Sequence, residues 1–181
     1  MTHDNAHELF PIVDEDGSVT GSATRGECPG GSMLLHPVVH LHVFDSSGRP
    51  YLQKRPEWKD IQPGRWDTAV GGHVDFGETV EDALTREVRE ELGLTSFSPV
   101  FVSRYLFASE RERELVHVFA AVVSDVGSIR PSEELDGGRF WNIDEIETSM
   151  GKGIFTPNFE NEYTRVLKHS LPELKGLPRL S

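Results

Sequence analysis

The chain has 181 residues, 18 Lys plus Arg against 30 Asp plus Glu, and a formal net charge of −12. Roughly 100 to 200 residues make one ordinary domain, and residues 1–181 read as a single unit with its core at about 10–169 and a tail at 171–181. So acidic a surface excludes general binding to nucleic-acid phosphates and docking on an anionic membrane, while 36% hydrophobic and 27% charged residues fit a soluble globular domain.

In chain order, Phe10 to Val13 and Ser18 to Thr20 flank Asp14-Glu15-Asp16-Gly17 and predict a short hairpin around an Asp-Gly turn. A Gly-rich loop follows, with Gly26, Gly30 and Gly31, and it holds Cys28. A single cysteine rules out an internal disulfide and a multi-Cys zinc site. From Pro37 to Phe44, Val39, Leu41 and Val43 alternate with His40 and His42, the period-two pattern of a half-buried strand. His36, His40 and His42 then share one face of that strand.

Ser46-Ser47-Gly48 turns the chain into a strand at Tyr51 to Arg55, and a brief strand at Trp66 to Val70 precedes Gly71-Gly72. Thr79 to Leu92 predicts a helix: Thr79 suits the N-cap, Glu81 and Asp82 fill the first turn, and Gly93 stands just past the end. Strands at Val100 to Phe107 and Leu115 to Val123 follow, then one at Gly138 to Trp141, a short helix at Ile143 to Met150 and a last helix at Pro157 to Lys168. The apolar run Leu115 to Val123 is far shorter than the roughly 18 residues of a membrane span, and Met1 to Glu8 has no apolar signal core. The fold class expected is α+β, with a mixed, largely antiparallel sheet and a cytoplasmic location.

The chemistry concentrates in Gly72 to Leu94, GHVDFGETVEDALTREVREELGL. At about 100° per residue, Glu87, Glu90 and Glu91 share one arc of the helix, and Leu84, Val88 and Leu92 fill the arc beside it. Like charges at i, i+3 and i+4 weaken a bare helix, so a compensating cation is expected. Dense oxygen ligands suit a hard ion, Mg²⁺ or Mn²⁺, which in turn binds phosphates. Metal competing with protons for these carboxylates would make activity rise toward alkaline pH.

The segment matches the signature of the Nudix hydrolase superfamily without a departure: Gly72, five residues, Glu78, seven residues, then Arg86, Glu87, Val88, Glu90, Glu91, Gly93 and Leu94. Seven fixed positions of about 7% frequency each coincide by chance about once in 10⁸ trials. The resemblance implies the Nudix fold, a mixed β-sheet sandwiched between α-helices. It implies that Glu87, Glu90 and Glu91 ligate Mg²⁺ or Mn²⁺, that the backbone carbonyl of Gly71 completes the sphere, and that Arg86 orients the glutamates. Glu78 would be a ligand through water or an anchor for the loop. The activity implied is attack of water on phosphorus in a nucleoside diphosphate derivative or nucleoside triphosphate, with a glutamate as general base.

Beyond that box, Leu52-Gln53-Lys54-Arg55, Lys59, Pro63-Gly64-Arg65-Trp66-Asp67 and Leu35-His36 resemble the branch that holds isopentenyl diphosphate isomerase and its hydrolase relatives. This likeness spans about residues 10 to 145 and implies that Arg55 and Lys59 hold the substrate diphosphate. It aligns His36 and His73 with metal-binding histidines, and Glu112 and Glu114 with acidic metal or catalytic residues. The isomerase also needs a Cys in the segment matching Asp67 to His73 and one further metal-binding His near the place of Pro29, and this chain has neither. Those departures favour a hydrolase over the first rival, an isomerase of allylic diphosphates, and the complete box favours it over the second, a non-catalytic nucleotide-sensing domain.

Among the remaining candidates, Glu133 and Glu134 fall where many members supply a late glutamate. Trp58, Trp66 and Phe76 are candidates to stack a base or to fill the core. The partner expected is a small diphosphate, with no nucleic acid and no membrane; a homodimer is compatible with the sequence.

Overall fold

A computed structural model describes residues 8–27, 32–59, 62–133 and 135–170. Cys28, Pro29, Gly30, Gly31, Glu134 and the tail at 171–181 lie outside the described residues. Strands β1 (Leu9–Val13) and β2 (Val19–Thr24) form the expected hairpin. The main sheet has seven strands: β3 (Leu35–Phe44), β4 (Pro50–Lys54), β5 (Trp66–Thr68), β6 (Val70–His73), β7 (Val100–Ala108), β8 (Arg113–Val122) and β9 (Gly138–Phe140). Its path runs β5-β4-β3-β8-β7, with β6 added to β3 and β9 to β4.

β3 organises everything else. It pairs in parallel with β8 from Leu35↔Arg113 to Phe44↔Val122. On its other edge β6 occupies the first half, pairing antiparallel from Val38↔His73 to Leu41↔Val70, and β4 takes the end at Val43↔Tyr51 and Phe44↔Pro50. The sequence predicted one strand over Trp66 to Val70 followed by a glycine pair. Instead the chain breaks at Ala69, and Gly71-Gly72 sit inside a second strand. Two glycines carry little strand propensity, which is why the pattern concealed it. Since opposed residues share a face, Gly72 faces the same side as Val39, while Gly71 and His73 face the side of His40 and Val38.

Helix α1 (Val80–Leu92) covers one face of the sheet. Thr79 Oγ1 accepts from the Asp82 amide at 3.1 Å, and Gly93 ends the helix at φ 67°, a conformation that a side chain would strain. Leu84, Val88 and Leu92 are buried against Val39, Leu41 and Val43, a transfer of roughly 2 kcal/mol per side chain. On the opposite face, α2 (Ile143–Ser149) and α3 (Pro157–Glu162, continued by a wider turn over Tyr163–Leu167) bury Ile146, Phe159, Tyr163 and Leu167 against Phe44 and Leu52. Coverage on both sides makes β3 a central strand, not the half-buried one that its alternation predicts: His36 and His42 are as buried as its valines. Among the described residues no helix is long and apolar enough to cross a membrane.

Candidate active site

The carboxylates of α1 stand beside its buried stripe, and one guanidinium holds them in place. Arg86 donates through Nε and Nη2 to Glu78, both at 2.9 Å, through Nη1 to Glu87 at 2.7 Å, and through Nη2 to the His73 carbonyl at 3.0 Å. Asp75 and Glu90 each lie 3.5 Å from it. Glu78 also accepts from the Asp75 amide at 3.0 Å, so its carboxylate ties the loop to the helix. Glu91 accepts from the Gly71 amide at 3.1 Å. A Cβ on Gly72 would overlap the Glu87 side chain, so glycine here leaves room for that carboxyl group.

Too little positive charge is present for so many acids. Burial pushes Glu87 up to about 7, Arg86 opposing and Glu90 adding to the rise. Burial and then the facing charge of Glu87 push Glu91 well above the usual carboxylate range. Burial likewise raises Asp75 to about 6. Glu78 alone is lowered, since the Arg86 bonds outweigh its burial. A divalent cation among these oxygens would remove the deficit, so the donor set fits a hard ion.

Glu91 and Gly71 line a cleft of about 210 Å³ together with His40, Asp67, Arg55 and Lys59. The two cations that the resemblance assigns to a diphosphate therefore open into the same space as the box glutamate. Lys59 Nζ sits 4.9 Å from the centre of the exposed Trp58 ring. A second cleft of about 510 Å³ shares Arg55, Asp67 and Asn158 with the first and extends past Thr156 to Phe107 and Glu112.

A separate cluster forms where β3, β6 and β8 meet. Ligand atoms of His36, His73 and Glu114 all lie within 4.8 Å of one another. His36 Nδ1 bonds the Leu34 carbonyl at 3.1 Å, while its buried Nε2 has no partner and lies 3.9 Å from Glu114 and 4.0 Å from Glu112. Burial, followed by the charge of His36, lowers His73 to about 3, so its ring is neutral at pH 7. Burial and then Glu112 raise Glu114 to about 7. The neutral His73 ring, a carboxylate and the orphaned buried nitrogen of His36 form a donor set that suits Mn²⁺ or a later divalent ion. Glu112 and Glu114 belong with this cluster, on the other face of the sheet from Glu87.

Sequence reasoning missed Glu162. It is 1% exposed and accepts from His40 Nδ1 at 2.8 Å, His42 Nε2 at 2.5 Å and Tyr105 Oη at 2.6 Å. Burial lowers the pKa of His40, but the facing Glu162 carboxylate overrides it and lifts the imidazole to about 9. Burial works against the charged Glu162 too, yet the two histidines hold it well below the usual range. The signal was present: Glu162 falls between Phe159 and Tyr163 in the apolar stripe of α3, where a carboxylate needs a partner. Of the remaining candidates, Trp66 packs edge-on to Trp141 at 5.2 Å in the core, whereas Phe76 and Glu133 are exposed.

Comparison with known proteins points one way. The NUDIX domain model matches residues 34–159. A Nudix hydrolase of Streptomyces coelicolor is 32% identical over 166 residues, covering 90% of either chain. An isopentenyl-diphosphate Delta-isomerase of Mycolicibacterium vanbaalenii is 33% identical over 147 residues, covering 78% of this chain and 80% of its own. A crystal structure from Deinococcus radiodurans superposes with a TM-score of 0.72 at 23% identity, over 87% of this chain and 98% of that one.

Proposed function

The chain belongs to the Nudix family, and from that premise we propose that it hydrolyses a diphosphate bond in a nucleoside diphosphate derivative or a nucleoside triphosphate with Mg²⁺ or Mn²⁺. The observation that carries this reading is the shared cleft: Glu91 and Gly71, on the metal side, face Arg55 and Lys59 on the phosphate side. Glu87, Glu90, Glu91 and the Gly71 carbonyl would hold the ion, Arg86 would orient them, and Glu78 would anchor the loop. A divalent cation in such a site supplies positive charge at the phosphoryl oxygens and acidifies water.

The remaining work falls to the chain itself. Arg55 and Lys59 bind the diphosphate and offset its charge against a protein of net charge −12. A box glutamate takes a proton as a water oxygen bonds to phosphorus. The bond from phosphorus to the bridging oxygen breaks, and that oxygen leaves on the second phosphate. The test is divalent-ion-dependent turnover on a panel of nucleoside diphosphate derivatives, nucleoside triphosphates and prenyl diphosphates, with Glu91→Gln as control. Phosphate products that vanish in the variant are expected; full activity in Glu91→Gln would overturn the assigned site. Binding without any turnover would favour a nucleotide sensor.

One observation favours a second reading. The His36–His73–Glu114 cluster suits the metal of an isomerase of allylic diphosphates, and an isomerase is among the relatives. Against it, the segment Asp67 to His73 offers no cysteine. Incubation with isopentenyl diphosphate decides: an allylic product would establish the isomerase, and intact substrate would exclude it.

A further inference from the structure

Three donors converge on Glu162, and one of them stands apart. His40 and His42 are two residues apart on β3, so both rings reach the α3 face and both meet the same carboxylate. His42 is 1% exposed and serves Glu162 from the interior. His40 forms part of the wall of the smaller cleft, with Gly71, Glu91, Arg55 and Lys59. Its Nδ1 is committed to Glu162, and its other edge lies against Gly71: a Cβ built there would fall 3.4 Å from Cδ2 and 3.6 Å from Nε2. The ring is thus fixed at one nitrogen and presents the other beside the strand whose amide holds Glu91.

With Nδ1 committed to the Glu162 carboxylate, Nε2 is the ring nitrogen left to hydrogen-bond within the cleft. It belongs to the wall of the same space as Arg55 and Lys59, the two cations already assigned to a diphosphate. We propose that His40 is a third phosphate contact, donating from Nε2 to a non-bridging oxygen of the bound diphosphate, with Glu162 as the residue that positions it. The inference rests on the reading of this cleft as the diphosphate site. It gives a use to a buried acid that the hydrolytic scheme leaves idle.

Asparagine at position 40 keeps a donor close to the place of Nδ1 and removes Nε2, so it separates the cleft contact from the interior bond. Calorimetric titration of the whole chain with methylenediphosphonate and Mg²⁺ reads the contact without turnover. His40→Asn is expected to weaken that affinity about tenfold, the effect of one charge-assisted bond, while the midpoint of thermal unfolding moves by only a few degrees. Glu162→Gln is expected to weaken it less, since the ring stays but the bond that orients it is weaker. Unchanged affinity in His40→Asn with a tenfold loss in Arg55→Ala would overturn this inference and leave the cleft assignment standing. Unchanged affinity in both would overturn the cleft assignment as well. The wild-type chain gives an answer that needs no variant to fold: the ¹⁵N resonance of His40 Nε2 should shift when the probe is added, and a stationary resonance would overturn the proposal.

Discussion

Two acidic centres flank the central strand β3, and they are charged in opposite senses. Around Arg86 on α1, one guanidinium serves Glu78, Glu87, Glu90 and Asp75, so acids outnumber the cation, and Glu87 and Glu91 are pushed up toward protonation. Around Glu162 on α3, one carboxylate receives three donors and is held well below its usual range. The first centre is short of positive charge, which a divalent ion from solution would supply. The second is complete within the protein. Buried acids alone therefore do not mark a metal site; the balance between acids and donors around them does.

The largest effect should come from breaking the deficient centre. Glu91→Gln is expected to cut ion-dependent turnover about 10³-fold or more without lowering the thermal midpoint, because it removes a buried charge that the folded chain disfavours. A variant that unfolds instead would show this acid to be structural. Breaking the satisfied centre should do the reverse: Glu162→Leu leaves the buried His42 and the partly buried His40 without their acceptor and is expected to cost roughly 3 kcal/mol in urea denaturation. A loss near zero would mean that the network is incidental.

A smaller effect follows at Gly72, where Gly72→Ala would drive the Glu87 carboxyl group out of place. About a tenfold loss of Mn²⁺ affinity is expected, read by titration; an unchanged affinity would remove Glu87 from the ligand set. The last contrast is in pH. With no ion present, the folded chain holds the Glu87 proton up to about 7 against an ordinary 4.5, so the group favours folding at low pH and loses that advantage as pH rises through this window. The thermal shift produced by Mg²⁺ should accordingly be larger at pH 8 than at pH 6. The His40 proton is held to about 9 against 6.5, so its stabilisation persists at neutral pH and disappears only as pH climbs through 9. The gap in midpoint between wild type and His40→Asn should narrow from pH 7 to pH 10.

The two centres also differed in how far the sequence revealed them. The box lies within 23 consecutive residues, Gly72 to Leu94, so helical periodicity alone puts its glutamates on one arc beside the buried stripe. Arg55 and Lys59 came from resemblance, and the loop that follows β4 brings them to the same cleft. Glu162 and His40 are 122 residues apart. Alternation along β3 gave the shared face of the histidines, but nothing local says which helix covers that face. Nor did the pattern show β6, whose two glycines hide a strand that the pairing with Val39 and His40 makes plain. Local periods encode a face; partners across the sheet are set by packing of distant segments.

The α1 carboxylates, short of positive charge, are the proposed seat of the divalent ion. Free Mn²⁺ followed by electron paramagnetic resonance during titration tests it directly, on the wild-type chain, Glu91→Gln and His36→Ala. At least a tenfold weaker affinity is expected in Glu91→Gln, with retention of that site in His36→Ala. Unchanged binding in Glu91→Gln, with binding lost in His36→Ala, would contradict it and assign the ion to the histidine cluster.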